Sequence, residues 1–84
     1  MSSRHSARII IESSKAPLLL RVLSPEAQEE ISERSSARLR AEEGILEVQI
    51  EARDLVSLRA AFNTWGRLLK VSLQLLEEEW GNDF

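Results

Sequence analysis

Few side chains in this sequence are suited to catalysis or to metal binding. The chain contains no cysteine and one histidine, His5, so it lacks the residues for thiolate chemistry, for disulfides and for multi-histidine metal sites. The adjacent carboxylates Glu42 and Glu43 could form an acid–base pair, but no histidine and no glycine-rich phosphate loop accompanies them. The serine and threonine hydroxyl groups have no neighbouring base to activate them. These residue types predict a protein that is not an enzyme and that holds neither a cofactor nor a metal.

Length and charge further limit the classes of protein to which this sequence can belong. With 84 residues, 43% of them hydrophobic and 30% charged, the chain is large enough for one small globular domain. All eleven Lys and Arg residues lie within residues 1–70, whereas the last eight residues carry four acidic side chains and no basic one. The body of the chain is therefore close to neutral, which argues against a strong nucleic-acid footprint and against a polybasic membrane anchor.

We expect three segments along the chain: a disordered leader over residues 1–6, one folded domain over residues 7–76 and an acidic tail over residues 77–84. The longest apolar runs, such as residues 17–20, are far too short to cross a membrane. The leader also lacks the apolar centre of a signal peptide. Together with the absence of cysteine, these features predict a cytoplasmic protein with no membrane partner.

The elements that must position these residues are clearest between residues 34 and 52. Apolar and polar residues alternate on both sides of Glu43-Gly44, which is the pattern of a β-hairpin. A two-residue turn pairs Leu39 with Val48 and Arg40 with Glu47, whereas a three-residue turn sets Leu39 against Glu47. Only the two-residue turn places the apolar side chains on one face and opposite charges across from each other on the other face.

A further strand and a short helix are predicted before the hairpin. The β-branched run Arg8–Glu12 is typical of a strand. Pro17 suits the first turn of a helix over residues 15–23, which Ser24-Pro25 would end. Residues 24–32 are ambiguous, because a helix there would have only Ile31 as a large apolar residue to bury.

A long helix is predicted after the hairpin, with Asp54 as its N-cap residue. The helix could run from Leu55 to about Glu79. Its apolar residues recur at spacings of three and four from Leu58 to Leu76, and they cover an arc of roughly 160°, wider than one sheet requires. Phe62 and Trp65 lie inside this arc, where they could pack in the core or anchor a partner. Trp80 could end the apolar stripe or form an exposed anchor.

The predicted order is β-α-β-β-α, which corresponds to an α+β fold: a three-stranded antiparallel sheet with two helices packed on one face. Such a sheet has two open edges, and a chain of 84 residues is too short to cover both of them. We therefore expect one edge to pair with a second copy or with a paralogue.

Three segments carry a resemblance to a known family. They are Leu23-Ser24-Pro25-Glu26, Arg34-Ser35-Ser36 and the run from Glu51 to Trp65, whose most specific part is Ala-x-Asp-Leu-x-x-Leu-Arg-Ala leading to Asn63. Over residues 7–76 the chain resembles the CTAG/Pcc family, the small dimerising subunits of the KEOPS complex. Gly66 departs from the family's pattern, because it stands where a helix-forming residue is expected.

The resemblance implies a scaffold rather than a catalyst. In that family the complex makes threonylcarbamoyladenosine next to the anticodon of tRNA, and the small subunit binds the Kae-type transferase subunit. It implies a homodimer, or a heterodimer with a paralogous small subunit, that meets tRNA through the assembled complex. The alternative is an autonomous α/β RNA-binding module, against which stand the lack of a GXXG loop, of aromatic residues on the strands and of net basic charge.

The expected partner contacts lie on the helical side of the sheet. Along the long helix, basic and amide side chains fall on one flank, which could be a docking stripe, a tRNA-phosphate stripe or simply a solvated face. On the sheet, a basic binding face or simply a solvated face could be formed by Arg34, Arg38 and Arg40. The expected interface residues are Leu18, Leu20, Arg59, Asn63, Arg67 and Lys70.

Overall fold

Five elements follow one another in the predicted order, and the predicted α+β fold is confirmed. The computed structural model describes residues 4–29 and 35–81, with the side chains of residues 28–29 and 77–81 left out of the description. The elements are β1 (His5–Glu12), α1 (Ala16–Glu29), β2 (Ser35–Glu42), β3 (Ile45–Ala52) and α2 (Leu55–Gly81).

The three strands form one antiparallel sheet in the order β1-β3-β2. The hairpin has the predicted register, since Leu39 lies opposite Val48 and Arg40 lies opposite Glu47. Its two turn residues both adopt positive φ angles, 53° at Glu43 and 79° at Gly44. This is the type I′ geometry that matches the twist of the flanking strands.

Ser13 joins this hairpin to the start of α1. Its backbone N–H donates to the carbonyl oxygen of Gly44 over 2.8 Å. Its hydroxyl oxygen Oγ accepts a hydrogen bond from the backbone N–H of Lys15 over 3.0 Å, and its carbonyl oxygen accepts from the N–H of Ala16 over 3.1 Å. These hydrogen bonds order the turn before α1 and tie the start of the helix to the hairpin turn at the same end of the sheet.

The first strand begins earlier than predicted. It starts at His5 rather than Arg8, and His5 is half-buried opposite Ala52. The expected disorder of His5 and Ser6 is therefore wrong. Polar residues at these positions give no strand signal of their own, but β3 offers eight partners in a row, so the ladder of hydrogen bonds continues to its end.

The first helix runs past the point where Ser24-Pro25 was expected to end it. It continues to Glu29 with Pro25 inside it. Leu23 and Ala27, on either side of the proline, are 2% and 9% exposed and belong to the core. Their burial offsets the backbone hydrogen bond that proline removes. Ser24 also donates its hydroxyl to the carbonyl oxygen of Leu20 over 2.6 Å.

The core lies between one face of the sheet and the two helices. Trp65 is its largest fully buried side chain. Strand β3 contributes every second residue to this face, α1 contributes one side, and α2 contributes Trp65 and Leu69. The buried residues of the cluster are Ala16, Leu19, Leu23, Ala27, Ala37, Leu46, Val48, Ile50, Trp65 and Leu69.

The second helix begins as predicted and extends into the segment expected as a tail. Asp54 is the N-cap, because its Oδ1 accepts a hydrogen bond from the backbone N–H of Ser57 over 2.7 Å. The helix ends at Gly81. The two interpretations of Trp80 concern a side chain outside the described ones, and Arg34 and Ile31 also lie outside the described residues.

Neither helix, over the residues that the structure describes, combines the length and the apolar character needed to cross a membrane.

The continuation of α1 through Pro25 can be tested by mutation. Pro25→Ala should stabilise the protein by about 1–3 kcal/mol, because alanine restores a helical N–H and removes the clash with the preceding turn. Pro17→Ala is the matched control: Pro17 occupies the first turn of α1, where proline is tolerated, so its replacement should change stability by less than about 0.5 kcal/mol. Urea unfolding at one fixed chain concentration measures both. A destabilising Pro25→Ala would mean that the helix ends at Ser24.

Candidate functional site

Beyond the first turn of α2, the helical layer carries exposed large apolar side chains on both of its helices. On α1 these are Leu18 and Val22, and on α2 they are Phe62, Val71 and Leu75, all between 38% and 61% exposed. The two helices pack mainly on the sheet and little on each other. On α2 they lie on both sides of the helix, since Phe62 and Val71 are half a turn out of phase at 100° per residue. Exposed large apolar side chains on both helices of a small domain are typical of a protein-binding surface.

Between the apolar flanks of α2 runs a polar stripe on the side turned away from Trp65. At 100° per residue, it contains Arg59, Asn63, Arg67 and Lys70, and all four are exposed. From Leu55 to Leu76 the helix has three cationic residues and no acidic one. Within the part of the chain that the structure describes, none of the three cations forms an ion pair.

The six residues expected at a partner interface occupy different environments. Leu18 is exposed, whereas Leu20 is half-buried and packs against the core. The four α2 residues of the set form the polar stripe described above. Leu20 therefore offers little surface to a partner.

Sequence reasoning did not include four of the exposed apolar residues in this set. These residues are Val22, Phe62, Val71 and Leu75, whose side chains are between 44% and 61% exposed. Val22 could have been found from its four-residue spacing to Leu18, which places both on one side of α1. Phe62 could not be separated from Trp65, because both lie inside the same apolar arc.

Gly66 lies in the same exposed region of α2. It is helical and half-buried, and a Cβ atom placed on it would meet no other atom within 4 Å. Its helical neighbours one turn away are Phe62, Asn63 and Lys70. The packing of this chain alone therefore gives no steric reason for glycine at this position.

The opposite face of the sheet is open and close to neutral. Arg8 Nε lies 2.8 Å from a Glu47 carboxylate oxygen, and Arg40 Nη2 lies 3.3 Å from Glu42 Oε1. The expected pairing of Arg40 with Glu47 holds for the backbone register but not for the ion pair, because Glu47 on the central strand is taken by Arg8. Arg38 lies opposite Gln49 and has no acidic partner among the described residues.

The two free edges of this sheet differ in character. Strand β1 contains Ile9-Ile10-Ile11, and Ile10 is 55% exposed on the open face, opposite Glu47 of the central strand. The centre of β2 carries Arg38 and Arg40, both exposed, and α1 packs mainly over this strand. Exposed charges and a covering helix are the usual means of protecting an edge from pairing. The β1 edge is less protected, because its exposed Arg8 is paired with Glu47 of the central strand and α2 packs less extensively over β1 than α1 does over β2.

The few groups with catalytic potential are far apart. His5 is at the end of the sheet where β1 pairs with Ala52, and Glu42 is at the hairpin end opposite Ile45. Seven residue steps along a strand separate these ends, a distance of about 24 Å. Among the described residues, one open depression is lined by Arg53, Asp54, Val56 and Ser57, and another by Arg40, Glu42, Glu43, Ile45 and Glu47.

Comparisons with known proteins agree with this description. A search of the curated proteins finds no match. A scan against protein-family models matches residues 4–77 to the family described as transcription factor Pcc1. The match spans β1, both helices and the hairpin, and therefore nearly all of the elements described above. The chain belongs to the Pcc1 family.

Proposed function

We propose that this protein is a non-catalytic, dimerising scaffold subunit of the KEOPS complex, which supports threonylcarbamoyl transfer to the tRNA adenosine next to the anticodon by binding the Kae-type transferase subunit. Membership of the Pcc1 family supports the complex. The observation that carries the scaffold role is the exposed apolar surface of the helical layer, which nothing else in the chain covers within the described residues.

The helical layer is the docking surface in this proposal. Leu18 and Val22 on α1, together with Phe62, Val71 and Leu75 on α2, give a partner helix apolar contacts on both helices. Helices pack at axial distances of roughly 8–10 Å through such side chains. Fully burying a Leu or Phe side chain from complete exposure is worth about 1.5–3 kcal/mol. Because these side chains are 38–61% exposed, each of them would contribute roughly half of that to binding.

The dimer in this proposal forms through the β1 edge. A strand added beside β1 would satisfy the free backbone groups of that edge and cover Ile10. Twofold pairing of two β1 strands would give a six-stranded sheet with all helices on one side. The same edge would accept a paralogous small subunit, so the proposal covers both kinds of dimer.

An autonomous RNA-binding module finds less support. The strands carry no Phe, Tyr or Trp on which bases could stack. Two arginines of the open face, Arg8 and Arg40, are paired with the acids Glu47 and Glu42. The family is described as a transcription factor, but the basic stripe of α2 is flanked by exposed apolar side chains such as Phe62 and Val71, which contacts with a DNA backbone would leave uncovered.

The proposed dimer can be tested at Ile10. Ile10→Lys should weaken dimerisation about tenfold or more, or about 1.4 kcal/mol, because two lysines would meet across the paired edges. Ile45→Lys is the matched control, since Ile45 has similar exposure on the same face but sits on the central strand. Sedimentation equilibrium measures both dissociation constants. Equal effects of the two variants, or a monomeric wild-type protein together with no affinity for any paralogue, would contradict the proposal.

The proposed scaffold role predicts a conditional activity. Threonylcarbamoyl transfer to tRNA by the reconstituted assembly should fall when this chain is omitted, because the transferase loses its support. The chain alone should turn over no carbamoyl-adenylate. His5→Ala, compared at equal concentrations of folded protein, should leave transfer unchanged. Turnover by the purified chain that His5→Ala abolishes would contradict the scaffold role.

A further inference from the structure

Gly66 is the only glycine of α2 between Leu55 and Leu76, and the packing of the chain does not explain it. Glycine in the interior of a helix is less stable than alanine, because it loses more conformational freedom on folding. An added Cβ atom would meet no other atom within 4 Å, so alanine would fit. The φ angle of Gly66 is not positive, so the backbone does not require glycine either.

The surroundings of Gly66 form a shallow notch on the helix surface. Phe62 and Lys70 lie one turn before and after it, and Asn63 lies beside them. All three side chains are exposed, Phe62 to 44%. A missing side chain between longer ones is the shape that receives a knob from a facing helix or lets its backbone approach closely.

The charges around the notch are of one sign. Arg59 and Lys70 lie on either side of Gly66 along the helix, each exposed, and Arg67 follows next in sequence. None of these cations has an ion-pair partner within the described residues. A surface that combines a notch, an exposed aromatic ring and unpaired cations complements a helix with one apolar side and acidic flanks.

We propose that a partner helix with acidic flanks crosses α2 over Gly66, with carboxylates directed to Arg59 and Lys70. The inference rests on the proposed function, since the helix is taken to belong to the transferase subunit. An RNA backbone would also attract the cations, but it would leave Phe62 and the apolar residues on both sides of the stripe exposed to water. A protein helix covers both kinds of side chain.

The proposal predicts that filling the notch at Gly66 raises the stability of the chain and weakens its binding to the transferase subunit. Gly66→Ala should raise the urea midpoint of the chain alone, because alanine favours the helix, and should weaken binding to the transferase subunit several-fold by filling the notch. Gly66→Leu should weaken binding more strongly, by about tenfold or more. Ala60→Leu is the matched control, because Ala60 is an exposed position of α2 away from the notch. It should leave binding unchanged.

The charge component is tested by titration calorimetry at low and high salt. Arg59→Gln/Lys70→Gln should lower affinity about tenfold at low salt and reduce its salt dependence. Arg38→Gln/Arg40→Gln changes the net charge equally on the open sheet face and should have little effect. Circular dichroism confirms that each variant is folded.

The outcomes separate the inference from the proposed function. If the wild-type chain binds the transferase and Gly66→Leu binds equally well, the crossing at Gly66 is wrong and the scaffold role stands. If Gly66→Leu disrupts self-association but not transferase binding, a second copy occupies the notch and the inference is overturned. If the charge variant weakens binding of labelled tRNA and not of the transferase, the occupant is RNA. Failure of the wild-type chain to bind the transferase overturns both.

Discussion

The mismatch between a short sheet and a long helix determines most of the surface of this protein. Strands of eight residues span about 27 Å, whereas the 27 residues of α2 extend about 40 Å. The molecule is accordingly elongated, with extents of 53 × 22 × 18 Å. A three-stranded sheet of this size cannot bury both sides of the apolar stripes on two helices, so apolar side chains remain on the helical layer.

This constraint separates four surfaces with different chemistry. The inner face of the sheet is filled around Trp65 and holds the fold together. The open face is polar and balanced in charge, with ion pairs such as Arg8–Glu47, and exposed pairs of this kind contribute about 0–1 kcal/mol. The helical layer combines apolar side chains with unpaired cations, and the β1 edge keeps free backbone groups. On the helical layer and the β1 edge, association with another chain would bury apolar side chains or pair free backbone groups, so these two surfaces gain the most free energy from binding.

The hairpin was predictable from the sequence because its alternation and its turn residues point to the same register. Shifting Leu39 from Val48 to Glu47 would have turned apolar residues to solvent, and the structure has the predicted pairing. The extent of α1 was not predictable, since Pro25 is a local signal for ending a helix and the burial of Ala27 that overrides it depends on tertiary contacts. The start of β1 at His5 likewise depends on the length of its neighbour β3.

The polar stripe of the candidate site was predictable from the sequence, whereas its exposed apolar residues were not. Spacing placed Arg59, Asn63, Arg67 and Lys70 on one stripe, and the structure has all four exposed together. Periodicity cannot divide an apolar arc between core and surface, because the division depends on how far the sheet reaches under the helix. Trp65 and Phe62 belong to the same arc, yet one is 1% exposed and the other 44%.

Hydroxyl-radical footprinting of the chain with and without the transferase subunit tests the central claim, that the helical layer is the docking surface, most directly. Oxidation of Leu18, Phe62 and Val71, which are exposed on the helical layer, should fall when the transferase is added. Ile45, on the open face of the sheet, should be oxidised at the same rate in both states. Protection of Ile45 with unchanged oxidation of the helical residues would place the transferase on the opposite face and contradict the account.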